Sequence, residues 1–243
     1  MSEMEEWAEY YTNIDNLAKI SQYCKYREVV IIRNLVDRRV TVRPIKIFKS
    51  EHLKFWIERL DLRKTLFNIY ISNASVKLPP LTSNLSQLTE IRKQLTEQWE
   101  SLMTGYDIFV DIDIENFEDR PFAYDIAEKI FMELKGKYPH VQLWDTTRGY
   151  HIVDFGRFSP EFVKNLVMDI CCYNNIPMSH PVKEKDGKKY YAEEGKWVQV
   201  EPNFVPPPID KPNCDTSIYD LRRIRRIPYS LHSKTGRPMV KLA

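Results

Sequence analysis

Three groups of residues in this chain have the types and spacing that chemistry needs. The first is Asp111 and Asp113, set in the apolar run Tyr106–Ile114. Residues two apart on a strand share a face, with Cα atoms about 6.5–7 Å apart. Two carboxylates so placed repel each other unless a cation lies between them. Hard divalent ions such as Mg²⁺ or Mn²⁺ take such oxygen ligands and keep waters that substrate phosphates can replace. Ile108, Val110 and Ile112 point to the opposite face and anchor the strand. Asp is depleted in strands, so this pair within an apolar run needs a reason. The bland alternative is a solvated pair on an edge strand.

The second group is Arg148-Gly149-Tyr150-His151, a turn leading into a strand that presents His151. An Arg fork matches phosphate oxygens and a His can donate to one, so this pair facing two aspartates suits a nucleotide triphosphate. The alternative is a hairpin tip with a surface Arg and a structural His. The third group runs from Asp220 to Arg237 and holds Arg222, Arg223, Arg225 and Arg226, then His232, Lys234 and a Thr-Gly turn. A basic patch with few acids suits a polyphosphate or a nucleic-acid backbone. The alternative is a solvated or localisation-type basic run.

These groups need elements to position them. Trp7, Tyr10, Tyr11, Ile14, Leu17 and Ala18 recur at helical spacing and predict one opening helix. Val29–Ile32, Val40–Phe48 and Phe67–Ile71 read as strands. Between them Ser50 caps a helix to about Leu60, with Leu53, Phe55, Trp56 and Leu60 as its apolar positions. Leu78-Pro79-Pro80-Leu81 is a turn or linker, and Asn84–Met103 is helical. Ala123–Leu134 and Pro160–Tyr173 read as helices. His140–Trp144 and Tyr150–Phe155 are strands joined by Asp145-Thr146-Thr147-Arg148-Gly149, a hairpin-like connection. Residues 183–197 are polar and basic and read as an exposed excursion. Pro206-Pro207-Pro208 marks an extended connector. A short turn at Asp220–Arg223 leads into a strand at Ile224–Leu231. The interleaving predicts an α/β or α+β chain with a mixed sheet flanked by helices. It forms one domain over 1–243, with a small excursion or insertion at about 157–212.

Composition bounds the rest. With 243 residues and 43% hydrophobic content the chain can bury a sizeable core, and 12% aromatics exclude a disordered composition. The net charge of +2 says nothing about partners, but its distribution does. Glu3, Glu5, Glu6 and Glu9 open the chain, whereas 211–243 carries eight Lys or Arg against Asp215 and Asp220. Four cysteines in a chain this long make no disulfide framework and predict a reduced, intracellular protein. No apolar run reaches a membrane span.

Taken in order, the three groups resemble the archaeo-eukaryotic primase superfamily, and within it the small catalytic subunit of DNA primase. The family's apolar Asp-x-Asp strand is similar to Phe109-Val110-Asp111-Ile112-Asp113. Its Ser-Gly-x-Arg-Gly-x-His is matched in its second half by Arg148-Gly149-Tyr150-His151, with Asp145-Thr146 where the family has Ser-Gly. Its Asp, basic-apolar strand, Ser-Leu-His and Lys-Thr-Gly turn correspond to Asp220, Arg223, Arg226, Ser230-Leu231-His232 and Lys234-Thr235-Gly236. Glu9-Tyr10-Tyr11, Arg27-Glu28 and Tyr70-Ile71-Ser72 also look similar.

The resemblance implies a primase catalytic core with an RNA-recognition-like half. It implies that Asp111, Asp113 and Asp220 bind two divalent ions, Mg²⁺ or Mn²⁺, for nucleotidyl transfer. Arg148, His151, Arg226, His232 and Lys234 would hold the incoming NTP or dNTP. A single-stranded DNA template and a primase large subunit are the implied partners. Cys171, Cys172, His180 and Cys214 lack zinc-ligand spacing, and the two adjacent cysteines fit a helix core. Two other readings stay open: a repair or end-joining polymerase of the same superfamily, and a non-catalytic nucleic-acid-binding subunit.

Overall fold

The computed structural model describes residues 3–34, 38–61, 66–78, 85–210, 212–217, 219 and 222–243. Asp220, the start of the turn expected at Asp220–Arg223, and Pro79-Pro80-Leu81 lie outside the described residues. The chain divides into two compact units. The first holds residues 1–105 and 221–240, and the second holds 106–220 and 241–243. Helices and sheets interleave in a mixed α/β chain, as the sequence pattern predicts; the strands pair antiparallel, and one isolated bridge, Met178 to Cys214, is parallel. Among the described residues no helix is long and apolar enough to cross a membrane.

In the first unit, β1 (Val29–Asn34), β2 (Arg39–Ile45), β3 (Phe67–Ser72) and β12 (Ile224–Arg226) form a sheet in the order β12-β3-β1-β2. Val29, Val30, Ile31, Ile69 and Ile71 are fully buried in it. The opening helix is two helices, α1 (Glu3–Thr12) and α2 (Ile14–Ser21). Asn13 divides them, because its Oδ1 accepts from the backbone N–H of Asp15 and Asn16 and so caps α2. Trp7 and Tyr11 pack on Phe67 of β3, with ring centroids 5.8 and 4.6 Å away. Helix α3 (Ser50–Arg59) begins after Lys49, and Ser50 is its first residue, not its cap. It buries Leu53, Trp56 and Ile57, while Phe55, expected on the apolar face, is exposed. Strand β4 (Ala74–Val76) and helix α4 (Leu85–Leu102) complete this part of the chain.

In the second unit the central strand is β5, which spans Met103–Asp113 in full. It lies between β7 (Gly149–Phe158) and the short β11 (Asn213–Cys214), and β6 (Gln142–Asp145) follows beyond β7. The C-terminal residues run along β6, where Leu242 N donates to Leu143 O at 2.8 Å. Ile108, Val110 and Ile112 are fully buried, and each contributes about 1.5–3 kcal/mol. Their face is the one that meets α5 (Arg120–Lys135), through Tyr124 against Tyr150. Helix α6 (Pro160–Tyr173) starts at the Ser159 cap and buries Cys171 and Cys172. All four cysteines are free and buried.

The segment expected as an excursion is a third sheet. Strands β8 (Val182–Lys185), β9 (Lys188–Glu193) and β10 (Lys196–Val200) form an antiparallel meander. Its two connections, Asp186-Gly187 and Glu194-Gly195, have positive φ at both residues. Tight two-residue hairpins demand that conformation, and Gly supplies it cheaply. The expected C-terminal strand is limited to Ile224–Arg226 by Pro228 and the turn that follows.

Asp154 of β7 is buried beside Ile108. Burial pushes its pKa up, His140 opposes the shift and Asp107 adds to it. A carboxyl raised in the folded state makes the fold less stable as pH rises from its unfolded pKa through its folded one. Asp154→Asn should therefore raise the urea midpoint at neutral pH. The gain should vanish below the ordinary carboxylate range, and midpoints measured across pH check this.

Candidate active site

The site in the second unit is built on the ladder between β5 and β7. Asp111 is paired across it with His151, and Asp113 with Gly149. Directly opposite residues share a face, so Asp111, Asp113 and His151 stand together on the face away from α5. His151 Nε2 is 3.4 Å from Asp111 Oδ1. The imidazole is fixed edge-on against Phe109, 4.9 Å between centroids. Its Nδ1 is buried and makes no hydrogen bond with any described residue. Asp111 is part-buried and Asp113 is exposed, so the carboxylates run from the strand interior to its rim.

Gly149 makes this approach possible. It has φ +142°, and a Cβ there would stand 1.9 Å from the carbonyl oxygen of Ile112. Only glycine lets the two strands close at Asp113. The turn before it is tied at both ends: Thr146 N donates to Gly149 O at 3.0 Å, and Ile114 N donates to Arg148 O at 3.2 Å. Arg148 stands exposed at its tip.

Asp145, where the family pattern has Ser, is not left to face a phosphate as a bare charge. Its Oδ1 accepts from Thr147 N at 2.6 Å, and its Oδ2 is paired with the Arg120 guanidinium. Arg120 in turn lies over the Tyr150 and Phe117 rings, 5.2 and 5.7 Å from their centroids. Its other nitrogen donates to Thr147 O at 3.4 Å. Sequence reasoning missed Arg120, which stands 25 residues away at the start of α5 with no motif spacing to mark it.

On the other edge of β5, Cys214 pairs with Ile112 and Asp215 N donates to Asp111 O at 2.9 Å. The Cys214 thiol is held neutral, its pKa raised by a hydrogen bond with the Cys171 thiol and by burial. Asp215 accepts from the Ser179 and Ser217 hydroxyls at 3.0 and 2.6 Å, which anchors this edge. Among the described residues no three His, Cys, Asp or Glu side chains gather to hold a metal ion. Asp111 and Asp113 are two hard oxygen donors on one face with an exposed side, which suits a divalent ion that keeps waters. Asp220, the third carboxylate of the sequence pattern, lies outside the described residues.

The third group lies in the first unit. Arg226 is buried on β12 opposite Tyr70. The loop after it is held from three sides. Tyr10 Oη donates to Tyr229 O at 2.6 Å, Leu231 N donates to Tyr11 Oη at 3.0 Å, and Asn68 exchanges two hydrogen bonds with Ser233. Burial, with Tyr229 adding to it, pushes the Tyr10 hydroxyl up to about 12, so it stays a donor. Gly236, at φ +65°, closes the turn with its N–H on His232 O. Lys234 N donates to His232 Nδ1 at 3.3 Å, which assigns the ring proton to Nε2. His232 is thus a half-buried donor and Lys234 an exposed cation.

Gly149→Ala tests the strand closure. The added methyl meets backbone, so the end of β7 must part from β5. The loss of stability should be about 2–4 kcal/mol in urea unfolding. Faster amide exchange at Ile114 should accompany it.

No family model matches the chain, and no curated protein matches it in sequence. Among solved structures it is similar to the polymerase domain from Mycobacterium tuberculosis ligase D in complex with DNA. The TM-score is 0.53 at 11% identity, over 97% of this chain and 78% of that one. At that identity the likeness is one of fold, and the chain shares the fold of that polymerase domain.

Proposed function

We propose that this chain is a nucleotidyltransferase of the primase superfamily, and that it makes short primers on a single-stranded DNA template as a primase catalytic subunit. The observation that carries the reading is the carboxylate strand: Asp111 and Asp113 on one face, with His151 Nε2 3.4 Å from Asp111. The likeness to a polymerase domain supports the fold in which such a strand would act.

Asp111, Asp113 and Asp220 are the residues we assign to two divalent ions, Mg²⁺ or Mn²⁺. Bound there, the ions would supply activation of the attacking 3′-hydroxyl and neutralisation of the leaving pyrophosphate. The chain's own groups do the positioning. Arg148, exposed at its turn, offers a guanidinium fork to the triphosphate of an NTP or dNTP. His151, with its Nε2 3.4 Å from Asp111 Oδ1, would serve a phosphate oxygen. His232 would donate through Nε2, and Arg226 and Lys234 add positive charge. Arg120 keeps Asp145 neutralised, so the turn can accept a polyanion despite its carboxylate.

A second reading is a primer-extending repair polymerase of the same superfamily, and the ligase D likeness favours it. The primase reading also calls for a large subunit. Strand β3 is a buried inner strand and offers such a partner no edge. Strand β2 is the sheet edge and keeps exposed positions.

Primer-free synthesis on single-stranded DNA, with labelled NTP or dNTP and Mg²⁺ or Mn²⁺, separates these readings. The expected result is new product that falls by roughly a thousandfold or more in Asp111→Ala/Asp113→Ala. Extension of a supplied primer without primer-free product would move the assignment to the repair polymerase. No incorporation in either format, with nucleotide binding absent, would leave the non-catalytic binding subunit.

A further inference from the structure

The β8-β9-β10 sheet takes no part in the site above, yet its charges are sorted by face. Alternation and register put Lys183, Lys185, Lys188 and Tyr190 on one side. The inner end of that side is fastened to α6. Lys183 pairs with Asp169, Trp197 Nε1 donates to the same carboxylate at 2.7 Å, and the Lys183 ammonium lies 4.1 Å from the Trp197 ring centroid.

The outer end is different. The Asp186-Gly187 turn sets Lys185 directly opposite Lys188. Like charges so placed work against the sheet. Both side chains are exposed, and among the described residues neither ammonium makes an ion pair. The opposite face of the same hairpin is balanced, because Glu184 stands across from Lys189. Tyr190 lies half-exposed between the fastened Lys183 and the paired tip lysines. Two unneutralised cations beside an available aromatic ring are the pattern that tracks a nucleic-acid strand: phosphates meet the charge and a base meets the ring.

We propose that this face is a binding surface for the phosphate backbone of single-stranded nucleic acid, with Lys185 and Lys188 on phosphates and Tyr190 against a base. The inference rests on the reading of the chain as a polymerase acting on a DNA template, and adds to it a contact surface outside the carboxylate strand. A polyanion at the tip relieves the repulsion that the hairpin otherwise carries.

The test is single-stranded DNA binding by fluorescence anisotropy from about 50 to about 200 mM salt. Wild type is compared with Lys185→Ala/Lys188→Ala, and with Lys196→Ala on the other face as control. Removing two phosphate contacts should weaken binding by roughly tenfold or more at low salt. It should also flatten the slope of log K against log salt by about 1.4. Lys196→Ala should change neither, and the thermal midpoint of the double variant should not fall. Tyr190→Ala should weaken binding without changing the slope. Wild-type binding with an unchanged slope in the double variant overturns this surface and leaves the polymerase reading standing. Failure of the wild type to bind single-stranded DNA overturns both.

Discussion

The close approach of β5 and β7 at Asp113 and Gly149 is the constraint on which the site depends. The ladder pairs Asp113 with Gly149 and Asp111 with His151 in one register. A slip of one residue would turn both carboxylates onto the face that packs against α5 and bring Ile112 out of the core. Three fully buried residues, Ile108, Val110 and Ile112, oppose that slip from one side. Gly149 permits the correct register from the other, since any Cβ there would run into the Ile112 carbonyl. The carboxylate face is therefore set by the packing of the apolar one.

Charge near the site is managed by pairing. Asp145 adds a carboxylate to the turn that carries Arg148, but Arg120 neutralises it and is itself held over Tyr150 and Phe117. That arrangement leaves the exposed Arg148 as the charge at the tip. In the first unit the same logic applies to hydrogen bonds. Tyr10, Tyr11 and Asn68 satisfy the backbone and side chains of the loop from Tyr229 to Ser233. The Lys234 amide then selects the tautomer of His232.

Much of this was legible in the sequence. Alternation in Tyr106–Ile114 gave the strand and the shared face of Asp111 and Asp113, and 3.6-residue spacing gave Ala123–Leu134 and Pro160–Tyr173. What escaped has physical reasons. Asn13 interrupts an apolar pattern that continues on both sides, so only its capping bonds reveal two helices. Charged alternation hid the meander at 182–200, although Asp186-Gly187 and Glu194-Gly195 were hairpin signals. Arg120 acts on Asp145 through tertiary contact, which no local pattern reports. Asp215 reaches Asp111 through a short edge strand beyond the Pro-rich connector, where sequence periodicity offers no register. The role proposed for Asp220 is read from its place ahead of the basic strand in the sequence.

The central claim is that Asp111 and Asp113 hold divalent ions for nucleotidyl transfer. Electron paramagnetic resonance of Mn²⁺ added to the protein with a non-hydrolysable nucleotide measures that binding without turnover. The account predicts tight, nucleotide-dependent Mn²⁺ binding by the wild type that is lost in Asp111→Asn/Asp113→Asn, with an unchanged circular dichroism spectrum. Equal Mn²⁺ binding by both proteins would contradict it.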